Sequence, residues 1–284
     1  MSKGVPFVDL PDARLYYETA GERGSRVLLI MGFGVPGNMW LNQIPTLARH
    51  HQVAWFDNAG AGGRTEKLRR RPFTMRDFSR HAVAVLDALD WPDAHVVGVS
   101  MGGMVAQEIA LGWRERVRSL SLVVTHAGGP RNLLPPLWSV YLFLRAFLGP
   151  KHLRAQALER LIFPDAYLQS GVDVPRLRDA LRDQVVAAAP ARDRLLQIAA
   201  LFTHRAAHRL PTLHDTPTLV VKAARDRLVR PREQHRLHHL IPGSWLVEFE
   251  EAGHAILHQC AERLNRVLLD HFEAVDGALT RRSA

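Results

Sequence analysis

Gly98-Val99-Ser100-Met101-Gly102 is the segment that most restricts how this 284-residue chain can fold. The run before it, His95-Val96-Val97-Gly98-Val99, is apolar and β-branched, and residues 101–111 after it have helical spacing. A serine between two glycines, at a junction of strand and helix, marks a turn too tight for flanking side chains. Such a turn lifts the serine hydroxyl above the end of the strand. It also aims the N-terminal N–H groups of the helix at that hydroxyl, which favours negative charge developing there.

The rest of the chain fits around this turn. Residues 5–10 and 14–19 read as two strands joined at Pro11-Asp12, hence an antiparallel start. Short apolar runs at 27–30, 53–56, 120–124, 218–221 and 245–249 read as further strands. Helical patterns fall between them: residues 75–89, with Thr74 as N-cap, then 101–111, 232–240 and 261–272. This alternation predicts an α/β fold, a mostly parallel sheet flanked by helices. Residues 127–213 break it, with no convincing strand and with helix breakers at Pro135-Pro136, Gly149-Pro150, Pro164 and Pro190. They are predicted to form a helical cap, or lid, over the carboxyl ends of the strands, where open α/β sheets bind ligands. The core is then discontinuous, residues 1–126 plus 214–284.

A serine hydroxyl needs a base within hydrogen-bond reach, and the base needs a group to orient it. On sheets that present a serine this way the chain order is serine, acid, histidine. His254 follows the last strand in Glu250-Glu251-Ala252-Gly253-His254, where Gly253 is expected to free the backbone to aim the ring. His258 is the alternative base. Asp226 is the first carboxylate after the strand at 218–221, whereas Asp215 precedes that strand and Glu233 lies in the next helix. The flanking Arg225 and Arg227 are expected to keep Asp226 ionised. For the oxyanion, the N–H of Met101 is one expected donor and that of Phe33, in Met31-Gly32-Phe33-Gly34, the other. Met31, Gly32, Trp40 and Met104 from the core, with Trp138 and Tyr141 from the insertion, are the expected substrate contacts. They suit an uncharged, moderately hydrophobic small molecule.

Together these segments resemble the α/β-hydrolase superfamily, in particular its small lidded serine esterase and lactonase branch. The resemblance rests on the G-F-G loop, the Asp57-Asn58 turn, the G-V-S-M-G-G turn, the R-D-R-L-V-R-P segment and the G-H segment. That family usually reads D-N-R-G or D-R-G at the Asp57 turn. Here it is Asp57-Asn58-Ala59-Gly60-Ala61-Gly62-Gly63-Arg64-Thr65, with alanine in the arginine's place. Haloalkane dehalogenases and epoxide hydrolases of the fold carry aspartate where Ser100 stands. The resemblance therefore implies hydrolysis of a carboxylic ester through an acyl-enzyme, with no cofactor. Lactones, thioesters and C–C bonds develop the same oxyanion and stay open, as do a lyase, a cyclase or a ligand-binding use of the fold.

Composition narrows the remaining classes. The net charge of +9 comes mostly from scattered arginines, without the spacing of any nucleic-acid-binding motif, and reads as a solvated surface. The single cysteine, Cys260, excludes a disulfide within the chain and reads as a buried structural thiol. His235, His238 and His239 share one helical turn but lack the carboxylate of a known zinc motif, so an exposed helix face is expected and no metal. The first residues lack the apolar run of a signal peptide and no stretch is long enough to span a bilayer. A cytoplasmic protein without stable membrane association is the expectation.

Overall fold

The computed structural model describes residues 6–61, 63–66, 72–129, 137–170 and 191–283. Its centre is an eight-stranded sheet: β1 Phe7–Asp9, β2 Arg14–Ala20, β3 Arg26–Ile30, β4 Gln52–Phe56, β5 Ala94–Val99, β6 Val117–Val123, β7 Thr218–Ala223 and β8 Trp245–Phe249. The order across the sheet is β1-β2-β4-β3-β5-β6-β7-β8. The two pairs that β2 makes are antiparallel and every other pair is parallel, as the sequence predicts. β5 is buried along its whole length and β3, β4 and β6 nearly so, which is why they read as unbroken apolar runs.

Among the described residues the α-helices are α1 Ile44–Leu47, α2 Met75–Ala88, α3 Met101–Gly112, α4 Leu137–Leu148, α5 Lys151–Ile162, α6 Asp165–Gln169, α7 Ala191–Thr203, α8 Pro231–Leu240, α9 Ile256–Gln259 and α10 Ala261–Ser283. Thr74 caps α2 through a reciprocal pair of bonds with Asp77, Thr74 Oγ1 accepting from the Asp77 N–H and Asp77 Oδ2 from the Thr74 N–H. Two elements outrun their sequence signal. β6 begins at Val117, ahead of the apolar run, because the Arg118 side chain leaves the strand to bond Asp93 and Asp276. Helix α10 continues past Phe272 because Val275 is buried and Asp276 reaches both Arg118 and His95 at the base of the sheet.

Register places the site. Ile30 lies opposite Gly98, Val99 opposite Val123, and Val123 opposite Val221. The carboxyl ends of β3, β5, β6 and β7 are therefore nearly level, and the loops leaving them meet along one edge. Helices α4 to α7 lie in the chain between β6 and β7 and reach those loops. The Phe143 ring of α4 sits 5.5 Å from that of Phe33, and Ser139 donates to the Arg227 carbonyl at 2.7 Å. The Ile162 carbonyl that ends α5 accepts from the Ala255 N–H at 3.0 Å. The helix breakers at Pro135, Pro136 and Pro190 lie outside the described residues.

The histidine group on α8 is only partly exposed: His235 and His239 face solvent, while His238 is half-buried and bonds Ser244 at 2.9 Å. Cys260 is half-buried rather than buried, and burial beside Glu251 pushes its thiol up to about 12.

Candidate active site

Ser100 stands between β5 and α3 with φ of 54°, a left-handed conformation that costs a non-glycine residue of order 1–3 kcal/mol. Its own N–H donates to the Val123 carbonyl at 2.9 Å, and Thr125 Oγ1 donates to its carbonyl at 2.6 Å. The flanking glycines are required by close approach. A Cβ on Gly102 would lie 2.1 Å from the Ile30 carbonyl oxygen, and one on Gly98 would lie 2.2 Å from that of Gly102. The turn that lifts the hydroxyl can therefore pack against β3 only with glycine on either side.

The three residues expected to work together meet here. His254 Nε2 is 3.0 Å from Ser100 Oγ, and His254 Nδ1 is 2.8 Å from Asp226 Oδ2. A carboxylate only accepts, so Nδ1 carries the proton and Nε2 is left to accept from the serine hydroxyl. The alternative base, His258, sits in α9 with its Nδ1 3.3 Å from Asn42 Nδ2, and burial pushes its imidazole down to about 4.

Asp226 is buried and fully engaged. Oδ1 accepts from the N–H groups of Leu228 and Val229 at 2.8 and 2.9 Å, and Oδ2 accepts from Gln234 Nε2 at 3.0 Å as well as from His254. Of the two arginines expected to support its charge, Arg227 does something else: it turns to Asp165 of α6, with Nη2 2.6 Å from Oδ2. Its two oxygens are met by hydrogen-bond donors instead. Gln234 was not foreseen. It is wholly buried, its Oε1 accepts from the Ala223 N–H at 2.9 Å, and its Nε2 also donates to the Val229 carbonyl at 2.8 Å. The visible signal is a polar residue on the buried stripe of α8, three positions before the buried Leu237.

Gly253 is a glycine for a reason other than the one expected. A Cβ there would lie 2.6 Å from the Ile162 carbonyl oxygen and 2.7 Å from Pro164 Cδ. It lets the histidine loop press against the end of α5.

Of the two expected oxyanion donors, the Met101 N–H opens α3, where no carbonyl of the helix can reach it. Phe33 is buried in the loop that leaves β3, and a Cβ on the adjoining Gly32 would lie 3.3 Å from Ser100 Cβ. The next N–H along, that of Gly34, is taken by Gln197 Oε1 of α7 at 2.8 Å, and Gln197 Nε2 donates to the Ala59 carbonyl at 2.8 Å. This second buried glutamine ties the β3 loop to the Asp57 turn, and it too was missed.

The Asp57 turn keeps its brace despite Ala59. Asp57 is buried, accepts from the Gly37 N–H at 2.7 Å, and is gripped by Arg64 through Nε and Nη2, each at 2.7 Å. Burial works against the Arg64 charge, but the bonds to Asp57 and Glu18 outweigh it and hold the guanidinium proton more firmly than usual. Asn58 donates to the Met31 carbonyl at 2.8 Å, closing the turn onto the β3 loop.

The expected substrate contacts divide. Met31, Trp40 and Met104 are buried. Trp138 and Tyr141 stack on each other at 5.7 Å on the half-exposed side of α4, while Phe143 meets Phe33. Among the described residues no three or more His, Cys, Asp or Glu side chains group to hold a metal ion, and no helix is long and apolar enough to cross a membrane.

Known proteins agree with this architecture. The putative carbamate hydrolase RutD of Azorhizobium caulinodans is 31% identical over 274 residues, covering 96% of this chain and all of that protein. The enol-lactonase from Burkholderia xenovorans superposes with a TM-score of 0.82 at 23% identity, over 94% of this chain and 99% of its own. Est816, described as an N-acyl homoserine lactone degrading enzyme, gives 0.77 at 23%, over 93% and 99%. The two solved structures share the fold, and the curated relative supports hydrolase activity. Residues 25–259 match the alpha/beta hydrolase fold family, and the chain belongs to it.

Proposed function

We propose that the chain is a serine hydrolase that cleaves a moderately hydrophobic carboxylic ester through an acyl-enzyme. The hydrogen-bonded line from Ser100 Oγ through His254 to Asp226, at 3.0 and 2.8 Å, carries this reading. His254 Nε2 takes the hydroxyl proton as Ser100 attacks the carbonyl carbon, and Asp226 stabilises the imidazolium that results. The oxyanion falls to the N–H groups of Met101 and Phe33. The imidazolium then returns its proton to the departing alcohol, and a water activated by the same nitrogen releases the acid.

In this reading residues 127–213 are a lid over a core of residues 1–126 and 214–284, and the Phe33–Phe143 contact and the Gln197 bridge support it. Met31, Gly32, Trp40 and Met104 form the core side of the acyl pocket, and Trp138 and Tyr141 flank its entrance. The curated relative favours a second substrate class for the same machinery, a carbamate, whose carbonyl accepts the same attack.

An active-site phosphonate tests the proposal, read by intact mass and peptide mapping with Ser100→Ala alongside. Stoichiometric labelling at Ser100, absent from the variant, is expected. A folded protein that takes up no label refutes it. Matched esters, lactones and carbamates then rank the substrate classes.

A further inference from the structure

His126 takes no part in the mechanism above, yet the fold goes to some length to place it. It leaves the carboxyl end of β6, and β6 and β3 flank β5. The oxyanion loop thus approaches Ser100 from one side and His126 from the other. Two residues earlier, Val124 holds φ at 42°, a conformation strained for any β-branched side chain. That bend turns Thr125 so that its hydroxyl reaches the Ser100 carbonyl at 2.6 Å, and His126 follows. Gln107 Nε2 donates to the His126 carbonyl at 3.1 Å and fixes the backbone.

The ring is oriented as well. The Gly128 N–H donates to His126 Nδ1 at 3.0 Å. A nitrogen that accepts cannot carry a proton, so the hydrogen sits on Nε2. Burial, with the nearby imidazoles of His204 and His254, pushes the imidazole down to about 3. The ring is neutral at any working pH and stands within electrostatic reach of His254. Among the described residues nothing accepts from its Nε2–H, and the side chain is half-buried rather than sealed off. A neutral donor with a fixed tautomer, on the loop whose Thr125 bonds the Ser100 backbone, is suited to recognising an acceptor, not to moving a proton.

We propose that His126 determines specificity: its Nε2–H bonds an oxygen of the substrate on the flank opposite the oxyanion loop. The preferred substrates then carry an ether, ring or second carbonyl oxygen near the scissile group, where a plain ester carries methylene. This inference rests on the serine hydrolase reading.

The test compares isosteric ester pairs that differ by one oxygen for one methylene: p-nitrophenyl methoxyacetate against butanoate on the acyl side, and 2-methoxyethyl against butyl acetate on the alcohol side. Comparing the kcat/KM ratio between proteins cancels the intrinsic reactivity of each ester. In His126→Asn the amide oxygen can still accept from Gly128 while the Nε2 donor is gone. In His126→Gln an N–H is returned near the position of Nε2. The oxygen preference of at least one pair should fall about tenfold in His126→Asn, the worth of one neutral hydrogen bond, and recover in His126→Gln. A merely structural role would leave the His126→Asn ratio at the parent value. Phosphonate labelling of Ser100 with both ratios unchanged in His126→Asn overturns the role of His126 alone. No labelling of the parent overturns the hydrolase reading, and this inference with it.

Discussion

Replacing Gln234 by glutamate exchanges the amide NH2 that faces Asp226 for a carboxylate oxygen and changes little else in shape. The two side chains are buried, with Gln234 Nε2 3.0 Å from Asp226 Oδ2. Two ionised carboxylates at that spacing repel by ~5 kcal/mol at an effective dielectric of about 20. Holding one proton at pH 7 on a carboxyl whose ordinary pKa is about 4.3 costs only ~4 kcal/mol. The smaller penalty wins, so the pair in Gln234→Glu keeps one proton at neutral pH, and the introduced carboxyl titrates higher in the folded protein than in the unfolded chain. Such a group costs almost nothing below its unfolded value and progressively more as the pH rises toward its folded one. Melting curves from pH 4 to pH 8 should show the variant below the parent at pH 4 by about one hydrogen bond, because a single carboxyl proton cannot serve both Asp226 and the Val229 carbonyl. By pH 7 it should trail by ~4 kcal/mol more, a further drop of roughly 10 °C for a chain of this size. Gln234→Leu is the control. It orphans the Ala223 N–H and the Val229 carbonyl and removes one donor from Asp226, for a loss of ~2–4 kcal/mol with no such trend. A Gln234→Glu deficit that is the same at pH 4 and pH 8 would refute the argument, because Gln234 would then not face the Asp226 carboxylate.

Asp226→Asn keeps the shape of the acid but no longer fixes the His254 tautomer, so kcat should fall ~10³–10⁴-fold with the melting temperature little changed. Steady-state kinetics beside a thermal scan checks both halves. In Gly253→Ala the added methyl meets the Ile162 carbonyl oxygen at 2.6 Å, a backbone group that cannot step aside. A loss of ~1–3 kcal/mol is expected, with a fall in kcat because His254 moves with the loop; full activity and stability would mean the contact is looser than drawn. Burial works to raise the Glu108 carboxyl, but the His204 imidazole 3.4 Å away and the bonds from Arg209 outweigh it and hold the group down at about 2, against 4.5 in the free side chain. A group depressed in this way stabilises the fold above its unfolded value and loses that contribution as the pH falls toward the folded one. The difference in melting temperature between the parent and Glu108→Gln should therefore be largest above pH 4.5 and shrink steadily toward pH 2.

What the sequence made legible, and what it hid, follows from how each residue acts. Ser100, Asp226 and His254 each leave the carboxyl end of a strand, and strands buried on both faces announce themselves as apolar runs. Counting forward from each run to the first suitable side chain finds the three that meet in the structure. Ends set by side chains from elsewhere could not be counted. β6 starts three residues before its apolar run because Arg118 has partners 25 and 158 positions away in the chain. The brace on Asp57 was hidden for a similar reason. Arg64 stands seven residues from the carboxylate it grips, where a motif with the arginine at position 59 directs attention elsewhere.

The two glutamines were the least visible, and their chemistry explains why they are amides. Each must donate and accept at once: Gln197 between the Gly34 N–H and the Ala59 carbonyl, Gln234 between the Ala223 N–H and Asp226. A hydroxyl could do both but is too short to join two loops from a helix. A lysine or arginine could reach but cannot accept, so Ala223 would lose its partner. Its fixed positive charge would also neutralise Asp226 in advance, before the imidazolium forms at His254. Under the proposed mechanism that would weaken the electrostatic gain on which the serine attack depends. A neutral amide anchors the acid and leaves its charge for the histidine.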